Sequence, residues 1–167
     1  MPCANGTRTT LDAAKQAHAR ERELERICPF RQFWGELVDK VHGSQDGFDT
    51  LSDDEKQYFA VRVLDQELYN GGFDQYFHNS SGDTCRFAEL GLMRIGATHS
   101  LALLRSARSR LFGGKPVPRE QGQRWSVLRN SEDSDFDDLD TAFCEDPDKL
   151  DGKLEQFARE AGLVGPA

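Results

Sequence analysis

The stretch Ser52–His78 reads SDDEKQYFAVRVLDQELYNGGFDQYFH, and it predicts a helix that stops at a pair of glycines. Ser52 and Glu55 have the spacing of a capping box, in which a serine hydroxyl and a glutamate carboxylate bind free amide groups of the first helical turn. Apolar residues then recur at helical spacing up to Leu68. The two glycines after Asn70 readily adopt the left-handed conformation that ends a helix. We therefore expect a long helix to about residue 69 and a short helical turn over residues 73–78.

Helical spacing extends over most of the remaining chain. Between Phe30 and Val41 the apolar residues follow the i, i+3, i+4, i+7, i+8, i+11 series of a helix that packs on one side. The same reasoning predicts helices over residues 84–95, 98–112 and 119–129, and the last of these has Trp125 and Leu128 as apolar anchors. Two short helices follow. The apolar side of the first is Phe136/Leu139/Phe143, and the second begins at Pro147 and has the apolar side Leu150/Leu154/Phe157/Ala161. No stretch has a convincing strand pattern. The predicted fold is all-α, a single compact multi-helix domain.

The ends of the chain differ in character. Residues 10–27 favour a helix with only a thin apolar stripe, and Pro29 separates it from the next predicted helix. We expect an N-terminal helical arm over residues 1–29 and an all-α domain over residues 30–163. No apolar run approaches the ~18 to 20 residues that cross a bilayer, and no signal segment is evident, so we expect a cytoplasmic protein without a membrane span. The four cysteines lie far apart and are interpreted as reduced thiols.

Negative charge is concentrated near the C-terminus. The chain has 21 Lys and Arg against 29 Asp and Glu, a formal net charge of −8. Residues 131–155 contain eleven acids and two lysines, so this window carries the excess. Direct nucleic-acid binding is disfavoured by this balance. The arginines Arg105, Arg108 and Arg110 are expected to pair with acids, within one chain or across a dimer, rather than with phosphate.

The acids of this window predict a surface for a basic partner. A protein that presents carboxylates at intervals like those of DNA phosphates can occupy a basic groove. Asp148, Asp151 and Glu155 follow an i, i+3, i+7 series on the predicted last helix, away from its apolar side. We expect the two acidic helices to expose one continuous negative surface. Its members, which we call the C-terminal acids, are Asp133, Asp135, Asp137, Asp138, Glu145, Asp148, Asp151 and Glu155.

The C-terminal acids are also compatible with two purely structural roles. Acidic faces commonly serve only to keep a protein soluble. Negative charge at a helix start is favoured by the helix dipole, typically by ~0.3 to 1 kcal/mol. Calcium binding is disfavoured because the stretch lacks the DxDxDG spacing. The sequence therefore predicts no metal site and no cofactor.

Catalytic signatures are missing from the sequence. Gly113-Gly114-Lys115 lacks the other residues of a phosphate-binding loop, and Pro116 stands where Ser or Thr is needed. The best enzyme candidate combines Asp74, His78 and Cys85 as orienter, base and nucleophile. A structural role is favoured, in which the aromatic residues Phe73, Tyr76 and Phe77 fill the core and the side chains of Asn70, Asn79 and Asp83 cap helix ends. We therefore expect a protein that is not an enzyme.

The stretch Glu67–Asp83, ELYNGGFDQYFHNSSGD, is followed by an Ala/Leu-rich helix that reaches IGA at Ile95–Ala97. This part of the chain resembles the signature of the DNA-mimic-protein-like family, long catalogued as a domain of unknown function. The resemblance covers about residues 30–161. It implies an all-helical domain without enzymatic activity, known in at least one member as a dimeric DNA mimic that occupies the DNA-binding surface of a bacterial transcription regulator. The signature marks the fold through Asn70, Gly71, Gly72, Phe73, Gln75, Phe77 and Asn79, and it does not assign individual acids.

The sequence thus predicts a non-catalytic acidic binding protein that blocks the basic surface of a DNA-binding protein or regulator, either as a monomer or as a homodimer. One alternative is an immunity or regulatory module that holds one cognate protein through the Tyr69–His78 region. For that module, Tyr76→Ala should weaken binding more than loss of the acids. A second alternative is an enzyme centred on His78, with Asp74 and Cys85.

Overall fold

The computed structural model describes residues 15–17, 19–20, 28–129 and 136–165. The helices from residue 28 onwards are α1 Pro29–His42, α2 Asp53–His78, α3 Cys85–Arg94, α4 Thr98–Phe112, α5 Gln121–Leu128, α6 Asp137–Cys144 and α7 Leu150–Glu160, with a 3-10 helix Ser80–Thr84 between α2 and α3. In the predicted arm, residues 15–17 and 19–20 are helical, Cys28 and Pro29 form the start of α1, and the other residues lie outside the described ranges. The described ranges contain no strand, and the all-α prediction is confirmed.

Helix α2 is the central element of the fold. It contacts α1, α3, α5, α6, α7 and the 3-10 helix. Its residues Leu64, Phe73, Tyr76 and Phe77 are fully buried, which confirms that the three aromatic residues fill the core. Phe77 packs edge-on against Phe112 of α4, with ring centroids 5.4 Å apart. The burial of these large rings supplies much of the apolar area that drives folding.

The start and the break of α2 agree with the sequence prediction. The Glu55 N–H donates to Ser52 Oγ at 3.3 Å, and the Ser52 N–H donates to the Glu55 carboxylate at 2.8 Å, so the capping box is present. Gly71 and Gly72 leave the helical conformation, with φ −164° and φ 73° respectively. Helix α2 therefore consists of two helical segments that meet at a sharp kink, where the sequence predicts a stop.

Two predictions about the last third of the chain are wrong. The final helix begins at Leu150 rather than at Pro147, because Asp146 and Lys149 both have positive φ and interrupt the backbone before it. The predicted apolar anchor Trp125 of α5 has 39% of its surface exposed, and Arg124 is the buried residue of this helix. Arg124 points inwards because its side chain donates hydrogen bonds to carbonyl groups outside α5, including those of Phe77 and Pro118.

Candidate partner-binding surface

Helix α6 contacts the kink in α2. Asp140 of α6 accepts a hydrogen bond from the Phe73 N–H at 2.9 Å, which caps the second segment of α2. A Cβ atom on Gly72 would overlap the Asp140 carboxylate, so only glycine leaves room for this contact. Burial raises the pKa of Asp140, the Phe73 N–H lowers it, and the carboxylates of Asp137, Asp138 and Asp74 raise it further. Asp74 of α2 therefore interacts electrostatically with Asp140 of α6, as Asp137 and Asp138 do.

A second carboxylate bridges the kink. Glu67, from the first segment of α2, accepts hydrogen bonds from Gln75 Nε2 at 2.6 Å, Asn79 Nδ2 at 3.1 Å and the Ser81 hydroxyl. The side chain of Asn79 therefore binds Glu67 and does not cap the start of the 3-10 helix, contrary to the sequence prediction. The polar residues of the signature fix the angle between the two segments of α2.

Arg124 joins the signature to α5. Its guanidinium is fully buried and donates to the carbonyl groups of Phe77, Pro118, Arg119 and Asn79, at 2.7 to 2.9 Å. The carboxylate of Asp83 lies 2.6 Å from Nη2, so Asp83 neutralises Arg124 instead of capping a helix. A buried charge is stable only when its hydrogen bonds are satisfied in this way. Sequence reasoning missed Arg124 because an arginine in a polar helix produces no periodic signal.

The described members of the C-terminal acids do not form one continuous negative surface, because arginines lie among them. Asp133 and Asp135 lie outside the described residues. Asp138 forms a two-bond ion pair with Arg110, at 2.6 Å, and Asp151 pairs with Arg62. Glu155 lies 3.9 Å from Arg159. Asp137 and Glu145 are exposed. The predicted negative surface is therefore interrupted by arginines.

Asp148 departs furthest from the prediction. It precedes α7 instead of lying on it, and its carboxylate is half-buried against the start of α4. Asp148 Oδ2 accepts from the Ser100 N–H at 2.7 Å and from Ser100 Oγ at 2.9 Å. Because these bonds satisfy free donors at a helix N-terminus, the role of Asp148 is structural and we leave it out of the surface.

The arginines of α4 behave as predicted. Arg105 and Arg108 both pair with Glu89 of α3, at 3.2 and 2.7 Å, and Arg110 pairs with Asp138. These three side chains therefore contact carboxylates within one chain. They form part of the charge balance of the fold.

The charges of three aspartates act on an exposed tyrosine. Tyr69 of α2 has 53% of its surface exposed, and its ring lies 5.8 Å from that of Phe143 in α6. Burial raises the pKa of the Tyr69 hydroxyl, as do the nearby charges of Asp146, Asp65 and Asp151. We call these three aspartates the Tyr69 cluster. Sequence patterns contain no signal for Asp65 and Asp146 as members, because their proximity depends on the packing of α2 against the segment before α7.

Within residues 28–129 and 136–165, one arginine pairs with the Tyr69 cluster. Arg62 contacts Asp151 and lies 3.8 Å from Asp65. The pKa of Asp65 is nevertheless raised to about 6, since burial outweighs the lowering by Arg62 and the charges of Asp151 and Asp146 add to the burial. Within the described residues, Asp65 and Asp151 thus share one arginine, and Asp146 accepts a hydrogen bond from the Leu150 N–H at 3.1 Å at the start of α7. Asp146 and Asp151 come from the acid-rich window.

A groove lies beyond the kink, between α2 and α5. It has a volume of about 360 Å³ and is lined by Asp74, His78, Trp125, Leu128 and Arg129. The rings of His78 and Trp125 stack with centroids 5.3 Å apart and planes inclined by 27°. The indole Nε1 of Trp125 donates to the His78 carbonyl at 2.7 Å. We call this feature the Trp125 groove.

The three candidate catalytic residues are not brought together. Asp74 and His78 line the Trp125 groove, but Cys85 does not. Cys85 is only 3% exposed, and burial raises the pKa of its thiol to about 12, with a further contribution from Glu89. The thiolate is the nucleophilic form of cysteine, and this environment disfavours it. Among the described residues, no group of three or more His, Cys, Asp or Glu side chains could hold a metal ion, and no helix there is long and apolar enough to cross a membrane.

Comparison with known proteins identifies one family. A family model described as DMP19-like protein matches residues 49–161, about two thirds of the chain. The matched range contains the signature and every helix from α2 to α7. It begins at residue 49 and not near residue 30, so α1 lies outside it. No curated protein and no solved structure matches the chain.

Proposed function

The chain belongs to the DMP19-like protein family, and from that premise we propose that it acts by binding, presenting an acidic face to a basic protein such as a DNA-binding regulator. The resemblance to DNA-mimic proteins implies such a partner. The proposed mechanism is occupation of the partner's DNA-binding surface by carboxylates, without any catalytic step. The charge of −8 supports the proposal, because it favours attraction to a basic surface.

The proposed face runs along the kinked helix α2. The Tyr69 cluster lies on one side of the kink, and Asp74 with the exposed acids of α6 lies on the other. Contact between Tyr69 and Phe143 of α6 connects the two groups. Rigid helices carry most of these carboxylates, and a rigid array loses little conformational entropy when a partner binds.

The observation that carries the proposal is that, among the residues the structure describes, Arg62 is the one cation paired with the carboxylates of the Tyr69 cluster. Like charges held close together destabilise a fold, and this crowding contributes to the raised pKa of Asp65, about 6. A surface that only confers solubility has no need of such crowding. Arginine or lysine side chains from a partner would relieve the repulsion, so the binding energy would come from groups that are poorly compensated in the free protein. The exposed ring of Tyr69 adds a residue type that is enriched at interface hot spots.

The proposal is tested by removing two charges at the cluster and two elsewhere. In Asp65→Asn/Asp151→Asn the cluster loses two carboxylates. The matched control Glu36→Gln/Asp39→Asn removes two exposed carboxylates from α1, outside the family match. Proteins captured by the wild-type chain from its host are identified, and the affinity of each purified basic protein for all three chains is measured at low and high salt. Duplex DNA is added as a competitor.

We expect the cluster variant to bind a basic partner at least about tenfold more weakly, equivalent to ~1.4 kcal/mol, and the control to change the affinity less than about twofold. Wild-type binding should weaken steeply with salt, because screening shortens the range of charge interactions from ~10 Å at 0.1 M to ~3 Å at 1 M. DNA should compete for the partner. Equal effects of the two double variants would refute the proposal, since general charge and not this surface would then be responsible.

The alternative, an immunity or regulatory module, is favoured by the exposure of Tyr69 and Asp74 within the predicted Tyr69–His78 region. Its proposed test residue must change, however. Tyr76 is fully buried, so Tyr76→Ala would disrupt the core and say nothing about contact with a partner. Tyr69→Ala replaces it as the informative variant. For a module that binds mainly through apolar contacts, this variant should weaken binding more than Asp65→Asn/Asp151→Asn does, and the affinity should resist salt.

A further inference from the structure

We propose that the Trp125 groove receives an arginine side chain of the basic partner. This inference rests on the proposed function, and it adds a specific recognition element to an otherwise electrostatic surface. The groove is separate from the Tyr69 cluster, because the residues that line it lie beyond the kink of α2 and on or next to α5. Its occupant can therefore be tested independently of that cluster.

The walls of the groove suit the two parts of an arginine side chain. Trp125 keeps 39% of its surface exposed, and Leu128 provides an aliphatic wall next to it. A guanidinium is planar, weakly hydrated and stacks on aromatic faces, and tryptophan is the best aromatic partner for a cation. The methylene groups of arginine pack well on apolar surface while the charged end stays near water.

The indole is held in place before any ligand arrives. Its Nε1 donates to the carbonyl of His78, and the His78 ring stacks against it at 5.3 Å. Gln121 Nε2 donates to the same carbonyl at 2.9 Å. The polar atom of Trp125 is therefore satisfied within the protein, and its exposed π surface remains for a partner. Such preorganisation lowers the entropic cost of binding.

The charge at the rim of the groove favours a cation. Asp74 is exposed, and within residues 28–129 and 136–165 its carboxylate makes no hydrogen bond or ion pair. The charges of Asp74, Asp137 and Asp138 all act on Asp140, so several carboxylates share this region. A guanidinium stacked on Trp125 would lie in a region of negative potential, where the Asp74 carboxylate can accept its hydrogen bonds.

Arg129 is the arginine that lines the groove, and its substitution tests whether the occupant is positively or negatively charged. Its Nε donates to the carbonyl of Trp125 at 3.4 Å, which ties this side chain to the end of α5. If the occupant is a cation, Arg129 opposes it and Asp74 attracts it. If the occupant is an anion, the two roles are exchanged. Substitution of each residue by a neutral one must therefore move the affinity in opposite directions, and the directions identify the charge of the occupant.

The experiment uses the full chain labelled with ¹⁵N and three short peptides, acetyl-Gly-Arg-Gly-amide and its lysine and citrulline counterparts, at constant ionic strength. The chain has two tryptophans, so two indole N–H signals are expected, and Trp125→Phe assigns them. The arginine peptide should shift the Trp125 signal saturably and leave that of Trp34 in place. The lysine peptide should bind more weakly, and the neutral citrulline peptide should bind least.

Asp74→Asn should weaken the arginine peptide about two- to fivefold, as for an exposed ion pair, and Arg129→Gln should strengthen it by a similar factor. An unmoved Trp125 signal at tens of millimolar peptide, equal titration by citrulline, or weaker binding to Arg129→Gln would each overturn the proposal. Both substituted side chains are exposed, and unchanged thermal unfolding confirms that the fold is intact.

The same variants separate the groove proposal from the proposed function. When the groove proposal fails and the acidic face is real, the peptide does not bind Trp125 while Asp65→Asn/Asp151→Asn still weakens the basic partner. When the acidic face fails and the groove is real, the peptide results stand and the cluster variant binds the partner normally. Arg129→Gln measured against the purified partner then shows whether the groove contributes to that complex, because Arg129 lines the groove and lies outside the acidic face.

Discussion

Replacement of Gly72 by alanine should break the contact between α2 and α6. Gly72 has φ 73° and ψ −169°, a region of backbone conformation that is essentially restricted to glycine. The added Cβ would also overlap the Asp140 carboxylate. Backbone strain costs ~1 to 3 kcal/mol, and loss of the charged hydrogen bond from Phe73 to Asp140 costs ~1.5 to 3 kcal/mol. We expect Gly72→Ala to lower the free energy of unfolding by about 3 to 5 kcal/mol.

The assay is equilibrium unfolding in urea, monitored by far-UV circular dichroism. Gly152→Ala is the matched control, because Gly152 lies within α7 and a Cβ there meets no atom within 4 Å. That control should stabilise the protein by ~0.4 to 1 kcal/mol. Asp140→Ala removes the carboxylate that Gly72 accommodates, so the effects of Gly72→Ala and Asp140→Ala should sum to more than that of the double variant, by at least ~1 kcal/mol. A loss below about 1 kcal/mol in Gly72→Ala, or strict additivity, would show that the contact does not hold the two helices together.

Three more outcomes are expected from the contacts of Asp65, Cys85 and Arg124. The pKa of Asp65 is raised to about 6 in the folded chain, so ionisation of Asp65 destabilises the fold, and this effect is complete above that pH. Asp65→Asn should therefore raise the free energy of unfolding near pH ~7.5 by up to ~2 kcal/mol, an advantage that shrinks as the pH falls from about 6 to about 4. Unfolding curves at several pH values measure this, and a pH-independent difference would contradict it. The thiol of Cys85, buried and with its pKa raised to about 12, should resist a thiol reagent in the folded protein, whereas exposed Cys144 reacts; peptide mass mapping detects the order, and early labelling of Cys85 would count against it. Arg124→Met should lower the free energy of unfolding by about 3 to 5 kcal/mol, because it leaves buried carbonyl groups and a carboxylate without their donor. The control Arg86→Met, at an exposed position, should change the free energy of unfolding by less than ~0.5 kcal/mol in the same urea titration.

Local patterns predict the elements of this fold well. Apolar spacing predicts a helix over residues 30–41, and α1 spans Pro29–His42. The capping box of Ser52 and the break at Gly71-Gly72 are both predicted, because they depend on residues adjacent in sequence. These signals are local, so a single sequence contains them completely.

The candidate surface is less predictable, since it depends on contacts between distant segments. Asp148 has the spacing of an exposed helical acid, yet it caps α4 through Ser100, 48 residues away. In the sequence, Asp65 has the pattern of any polar residue of an amphipathic helix, and its interaction with Asp146 and Asp151 arises only in the folded chain. Periodicity reports which side of a helix is apolar, but it does not report which charged residues from other helices will meet there.

Helix α5 owes its position to a cation rather than to an apolar stripe. Arg124 is its buried residue, and the carbonyl groups that this side chain binds belong to the end of α2 and to the segment before α5. An eight-residue helix has little stability of its own. It should therefore melt together with the core in a single cooperative step, and no protease should release it while the guanidinium remains bound. Any ligand that occupies the Trp125 groove would consequently raise the melting temperature of the whole domain and not merely order a surface helix.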